Sequence, residues 1–339
     1  MESLKEGVGH LFGDLDPDKA REFFRKKSRK MESKLMPVKE AVEKFIHDGD
    51  YFASGGFGAN RISVSVLHEM LRQGRKKMGL AGHTTTHDFQ ILSAGKVFNR
   101  LDASYVVGLE ARGLSPNARK YLESGEVDIT DWSNYALAVR FKAAAMGLSF
   151  LPFRGTMGTD TFKYSAGKTV TCPFTNETYM AVPALYPDVS AIHVHECDIY
   201  GNCRIRGISV ADIDVARASK RLIITTEKII SSEEIRSNPG LTVIPYYLVD
   251  AVCEEPFGSY PGNMAYEYFS DEEHLQEWLK VEKDPAEFKK FLDRNIYNCK
   301  SHIEYINLNG GMDKMLFLRK KEVLFQHMEH KGVIKDGEL

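Results

Sequence analysis

From residue 37 onward the chain alternates between short runs with few charges and longer runs whose apolar residues recur at helical period. Few architectures accept that alternation. A strand without polar residues on one side must be covered on both faces, and an amphipathic helix must lie on something. Val38, Ala41, Val42, Phe45 and Ile46 recur at helical spacing after Pro37, and Asp48-Gly49 ends that helix. Residues 51–54 read as a strand running into Gly55-Gly56, and Val64, Leu67 and Leu71 mark a second helix closed by Gly74. Residues 78–81 and 104–109 are further apolar runs of strand length. Ser133 is placed to cap a helix through Ala136, Leu137, Ala144 and Ala145, which Gly147 stops. Residues 180–182, 191–196 and 203–206 follow as strands, the last two joined by an Asp/Gly/Asn loop that signals a hairpin. A helix through Val210, Ile213, Asp214 and Ala218, a strong strand at 221–226 and another within 241–253, broken at Pro245, complete the pattern. The expected fold is α/β: three α/β/α layers around a largely parallel sheet, with an antiparallel hairpin and helical additions at both ends.

Composition narrows the function classes. Hydrophobic residues make up 43% of the 339, enough for a sizeable core. With 45 Lys+Arg against 47 Asp+Glu the net charge is −2, which gives no electrostatic footprint for nucleic acid or an anionic membrane. No run approaches the roughly twenty apolar residues that span a bilayer. The first thirty residues lack a signal peptide's apolar stretch, and the five cysteines are odd in number and scattered. A cytoplasmic protein with reduced thiols is expected. Three segments are expected: a charged helical leader over 1–36, one α/β domain over 37–312, and a tail over 313–339.

The segment richest in chemical meaning is Ser54-Gly55-Gly56-Phe57-Gly58. Glycines after a strand let the backbone turn sharply and turn N–H groups toward a ligand, such as a phosphate or a developing oxyanion. The segment is neither a dinucleotide fingerprint nor a P-loop, and taken alone it is better explained by a plain strand-to-helix turn.

Its setting extends the reading. Helix, Asp48-Gly49-Asp50, strand, Gly55-Gly56-Phe57 and helix, in that order, resemble the opening of the α-type subunits of family I coenzyme A transferases. The chain departs from the succinyl-CoA:3-oxoacid type, carrying Arg61 and Ser63 where that type has Gly and Pro. It is more similar to the α-type chains of glutaconate CoA-transferases. The similar stretches include His47 to Asp50, Glu69 to Gly74, Arg119 to Gly125, Ala143 to Pro152, Ile230 to Arg236 and Val249 to Val252. Their collinear order covers about residues 37 to 312.

The resemblance implies a ping-pong reaction through a glutamate that lies, in this family, in a Glu-Asn-Gly context on the β-type subunit. This chain contains no Glu-Asn-Gly, and its Asn-Gly at 309–310 follows Leu308. No catalytic residue is therefore expected here. The resemblance implies instead a β-type partner, in a heterotetramer or larger assembly, with coenzyme A as a substrate and no permanently bound cofactor. No metal is expected, because His83 and His87, even beside Asp88, lack a third ligand at a recognised spacing. Ser54, Gly55, Gly56, Phe57 and Gly58 would line the substrate and CoA site, their N–H groups facing the thioester or CoA. On that reading Gly56→Val stops turnover while sparing the fold. Loops 81–88 and 107–113 fall at strand ends, where α/β folds bind ligands. Thr84, Thr85 and Arg112 suit a substrate's distal carboxylate, and Glu110 is a candidate acid. Local backbone capping explains each threonine better than a site role does, and a surface ion pair would equally explain Glu110 and Arg112. His193 and His195 share one face of their strand and read as hydrogen-bonded packing residues. Phe257 to Pro261 resembles a loop that approaches the site in glutaconate-type chains. A ring-opening CoA-thioester hydrolase or a decarboxylase subunit is the alternative function, with Glu110 the acid that stands out.

Overall fold

The computed structural model describes residues 4–106 and 113–322. Its strands are β1 (Tyr51–Ser54), β2 (Met78–Gly82), β3 (Phe98–Ala103), β4 (Asp128–Asp131), β5 (Phe150–Phe153), β6 (Lys168–Thr171), β7 (Thr178–Pro183), β8 (Val189–Cys197), β9 (Cys203–Arg204), β10 (Arg221–Ile229) and β11 (Ala251–Glu254). Its helices are α1 (Pro17–Lys26), α2 (Val38–Phe45), α3 (Val64–Arg72), α4 (His87–Ala94), α5 (Pro116–Glu123), α6 (Asn134–Ala145), α7 (Asp160–Lys163), α8 (Asp212–Ala218), α9 (Ser232–Ser237), α10 (Glu272–Val281), α11 (Pro285–Leu292), α12 (His302–Leu308) and α13 (Gly311–Lys321).

The main sheet runs β11-β10-β8-β1-β2-β3-β4, and every neighbouring pair on that path is parallel. The predicted hairpin is present: β9 folds back on β8, opposing Cys203 to Cys197 and Arg204 to Glu196. A separate antiparallel sheet has the order β5-β7-β6.

Strand alternation builds the layers. Within β1, Phe52 joins a core with α2, α3, α4, α5 and the C-terminal helices. Tyr51 and Ala53 join a second core with α6, α8 and the small sheet. All four β1 residues are buried, as a central parallel strand requires. From β1 the chain winds outward through α3, α4 and α5 to β4, then crosses back to β8 and winds the other way to β11. The reversal falls between β1 and β8, whose following helices α3 and α8 lie on opposite faces. That arrangement opens a crevice beyond the carboxyl ends of these two strands.

Several boundaries differ from the sequence reading, and at β3 the physical reason is charge inside a strand. The strand expected at 104–109 lies earlier, at Phe98–Ala103, and residues 107–109 are outside the described part. Its Arg100 and Asp102 hid it. Arg100 donates to the carbonyls of Gly49 and Lys77, and Asp102 is buried against Arg140. Of residues 241–253, the last three belong to strand β11 and Ile244 makes an isolated bridge to Cys203; Pro239–Leu241 and Tyr246–Leu248 are 3-10 turns.

The described part of the leader is tied to the body at intervals. Residues 7 and 9 donate to the carbonyls of Gly167 and Ser165, extending the small sheet, and Asp16 caps α1. The buried Lys27 ammonium pairs with Asp250 at 2.6 Å. Met36 N donates to Val252 O, and Val252 N donates to Lys34 O, so residue 35 closes the open edge of β11. The C-terminal helices α12 and α13 share a third core with Phe257, Tyr260, Met264 and Tyr268.

Candidate active site at the sheet switch point

The crevice between β1 and β8 holds a cavity of about 480 Å³ lined by Phe57, Gly58, Ala59, Asn60, Thr84, Gly207, Ile208, Asn263, Ala265 and Tyr266. A larger cavity of about 600 Å³ lies among α5, α10 and α11. Lys96 and Glu126, which line it, directly precede β3 and β4, so it sits at the opposite, amino-terminal ends of the strands. Ligands in parallel α/β sheets bind at the carboxyl ends, so the smaller cavity is the candidate site.

Backbone strain supports the choice. Nine non-glycine residues have a left-handed φ among the described residues, and Arg61, Thr84, Val210, Phe257 and Tyr266 are five of them. All five belong to the loops around this cavity. Such conformations cost about 1–3 kcal/mol each and persist where the surroundings over-determine them, commonly at functional sites.

The glycine turn is tightly tied. Gly55 N donates to Ala191 O at 2.9 Å, Phe57 N to Asn60 O at 3.1 Å and Gly58 N to Thr84 O at 2.7 Å. Gly56 N donates to the Asp212 carboxylate at 2.7 Å. These four amides therefore hold the turn together, and the expectation that they face a ligand is not met. Phe57 and Gly58 reach the cavity, whereas Ser54, Gly55 and Gly56 are buried beneath it. The two threonines also separate. Thr84 lines the cavity, its hydroxyl in contact with His83 Nδ1 and accepting from Asn134 Nδ2, both at 3.1 Å. Thr85 is buried and donates to Tyr105 O at 3.3 Å. Glu110 and Arg112 lie outside the described residues.

Asp88, the second residue of α4, sits behind the turn. Burial pushes its carboxyl up to about 6, against hydrogen bonds from Ser54 and the amides of Phe89 and Thr86. His193 is fully buried, with Nδ1 2.8 Å from the Thr225 hydroxyl and Nε2 2.7 Å from Glu227. Burial raises the Glu227 carboxyl, but His193, the Phe257 amide and the Tyr268 hydroxyl outweigh it and hold it below its ordinary range. His195 bonds Ala265 O through Nε2 and accepts from Arg206 N. Both histidines thus act as hydrogen-bonded supports, as their alternation suggested. Together they anchor the 257–266 loop, which forms one wall of the cavity.

Sequence reasoning missed Asn60, Ile208, Asn263 and Tyr266, and it missed Asp212. Asn263 and Tyr266 stand just beyond the loop singled out at 257–261. Its approach to Asn60, whose side chain accepts from Asn263 Nδ2 and Ala265 N, was invisible over some two hundred positions.

The C-terminal helices clamp the same wall. His302 Nε2 lies 2.7 Å from Phe257 O, and Tyr260 donates to Asp271 at 2.9 Å. Burial lowers His302 to about 4, and His195 and His274 likewise to about 4. A depressed histidine adds stability above its unfolded pKa, near 6.5, and loses it as pH falls toward the folded value. Burial works the other way at Asp88 and at Glu255, which is raised to about 7, so the two groups partly offset the histidines. The thermal midpoint is expected to fall from pH 6.5 to pH 4.5. His302→Gln, which keeps an N–H donor and cannot titrate, should make that fall shallower in pH-scanned calorimetry; an unchanged acid limb would exclude this assignment.

A family model described as coenzyme A transferase matches residues 35–255. The α-type chain of glutaconate CoA-transferase from Acidaminococcus fermentans is 32% identical over 301 residues, 82% of this chain and 92% of that one. This chain belongs to the coenzyme A transferase family. It is an α-type chain of family I, as the order of its motifs suggested. The crystal structure of the Acidaminococcus fermentans glutaconate coenzyme A-transferase matches it with a TM-score of 0.81 at 31% identity, covering 85% of this chain and 96% of that one. An Archaeoglobus fulgidus protein described as uncharacterized is 47% identical over 326 residues, 96% of this chain and 73% of its own length. That match takes in most of the leader and the C-terminal helices, which the transferase family model leaves out.

Proposed function

We propose that this chain is the α-type subunit of an enzyme that moves CoA from an acyl-CoA to a carboxylic acid, with the nucleophilic glutamate supplied by a separate β-type subunit. The observation that carries this reading is the lining of the switch-point cavity. None of its described lining residues bears a carboxylate, although ping-pong CoA transfer needs one. The glutamate attacks the thioester carbonyl, giving an acyl-glutamyl anhydride and CoA thiolate. The thiolate attacks the glutamyl carbonyl, releasing the first acid and leaving a glutamyl-CoA thioester. The acceptor carboxylate then repeats the two steps in reverse order. This chain contributes walls: Phe57, Ile208 and Tyr266 keep water from the anhydride, while Asn60, Asn263 and Thr84 offer hydrogen bonds to the acyl group.

The resemblance to the glutaconate enzyme favours glutaconyl-CoA or a similar dicarboxylic acyl-CoA as donor and a short acid such as acetate as acceptor. Arg112 remains the candidate for the distal carboxylate. Coenzyme A is a substrate on this reading, with no resident cofactor, and the two chains form a heterotetramer or larger. The five free cysteines and the near-neutral charge fit the cytoplasm. No described helix is long and apolar enough to cross a membrane.

The test is co-expression with the neighbouring β-type chain and measurement of CoA exchange between glutaconyl-CoA and acetate. Exchange by the pair and none by this chain alone is the expected result. Thioester hydrolysis without exchange would overturn the transfer reading in favour of a hydrolase. Full exchange by the lone chain would overturn the divided site.

A further inference from the structure

We infer that Arg61 is a positioning residue that fixes three walls of the cavity at once without reaching the ligand. It is fully buried and does not line the cavity. Its left-handed φ of 58° turns the backbone back on itself after the glycine turn. Each wall receives a separate contact. The guanidinium Nη1 lies 2.6 Å from Asp212 Oδ2, and the other carboxylate oxygen accepts Gly56 N at 2.7 Å, so the pair locks the glycine turn. Nη2 donates to Ile208 O at 2.7 Å, fixing the 207–208 wall. The Arg61 amide donates to Asn263 O at 2.9 Å, fixing the 263–266 wall. The guanidinium carbon also lies 6.0 Å from the centre of the Phe57 ring.

A planar fork is the group that can do this. It holds a carboxylate with one nitrogen and a carbonyl with another in a fixed relative geometry, which a single ammonium does not reproduce. Because both members of the ion pair are buried, the glycine turn and the 207–208 wall are held to one guanidinium, while the 263–266 wall is tied to the backbone amide of the same residue. Removing either side leaves the other charge buried without its ion-pair partner. Loops that would otherwise shift independently are thereby held in register beside the acyl group.

The effect on rate rests on the transferase reading above, and the amide-exchange measurement does not. In the assembled enzyme Arg61→Met is expected to slow CoA exchange by roughly a hundredfold, the scale set by misplacing a reacting group by about 1 Å. Hydrogen exchange at the amides of residues 55–58 and 205–210 should quicken at least about tenfold, while β10 and residues 259–267, which are tied to the Arg61 backbone amide, keep their protection. Arg61→Lys should recover most of the thermal midpoint, because the ammonium still pairs with Asp212, but neither the rate nor the amide protection. If Arg61→Met does not fold, Arg61→Lys carries the test. Wild-type protection in both segments of Arg61→Met, or recovery of rate and protection together in Arg61→Lys, would overturn the inference. A wild-type complex that exchanges no CoA would overturn the transfer reading instead, and amide exchange would still decide the role of Arg61.

Discussion

Gly56→Val is expected to lower CoA exchange at least about a hundredfold and to lower the thermal midpoint with it. The position has φ +75°, where a β-branched residue is a strong outlier. A Cβ there would stand 2.4 Å from Asn60 O and 2.7 Å from Arg61 O, both backbone atoms that cannot yield without opening the turn. The turn would open, Gly56 N would leave Asp212, and the wall carrying Phe57 and Gly58 would move. The sequence by itself assigns the loss to a blocked ligand approach with the fold spared. The geometry assigns it to the turn itself, so stability and rate should fall together. Gly58 is the informative contrast. It lines the cavity, and nothing lies within 4 Å of a Cβ placed on it, although its φ of +61° still costs an L-residue about 1 kcal/mol. Gly58→Ala should therefore shift the midpoint by only a few degrees while weakening acyl-CoA use, seen as a raised KM. Equal losses of stability in the two variants would contradict this division.

The second large effect is on stability alone. Arg140→Met is expected to cost about 3–5 kcal/mol, because it strands a buried carboxylate. Asp102 in β3 accepts from Trp132 Nε1 at 2.6 Å and from the Tyr51 hydroxyl, and it is paired with Arg140 of α6. Arg140 in turn stacks 4.3 Å from the Trp132 ring centre and donates through Nε to Pro183 O at 3.1 Å. One ion pair thus ties β1, β3 and α6 to the end of β7. A loss of this size should appear as a fall of roughly 5–10 °C in the thermal midpoint. Adding Asp102→Asn should recover part of it, because the stranded charge is then gone. If the double variant is as unstable as the sum of the two single variants, the pairing is not what Arg140 contributes.

How much is legible in the sequence depends on whether the cause is local. Ser133 reads as a cap, and its hydroxyl accepts the Ala136 amide at 3.1 Å. The β8–β9 hairpin is legible from its loop, and the helix from Val38 from its spacing. Strand β3 is hidden because Arg100 and Asp102 look wrong for a buried strand until Gly49, Lys77 and Arg140 are placed beside them. The small sheet is hidden in part because β5 (Phe-Leu-Pro-Phe) and β6 are partly exposed and lack a clean period-two pattern.

By itself the sequence determined the α/β class, the glycine turn, the family and the want of a Glu-Asn-Gly nucleophile, because each is carried by neighbouring residues or by their order. The tertiary structure decided which of those residues face the cavity. It turned the amides of residues 55–58 inward to Ala191, Asp212, Asn60 and Thr84, kept Thr84 at the surface of the site and buried Thr85. It also brought Arg61 to Asp212 and Asn60 to Asn263. All of those pairings except Phe57 with Asn60 are between residues far apart in the chain, and whether a polar group serves a ligand or the fold is settled by which partner reaches it first in space.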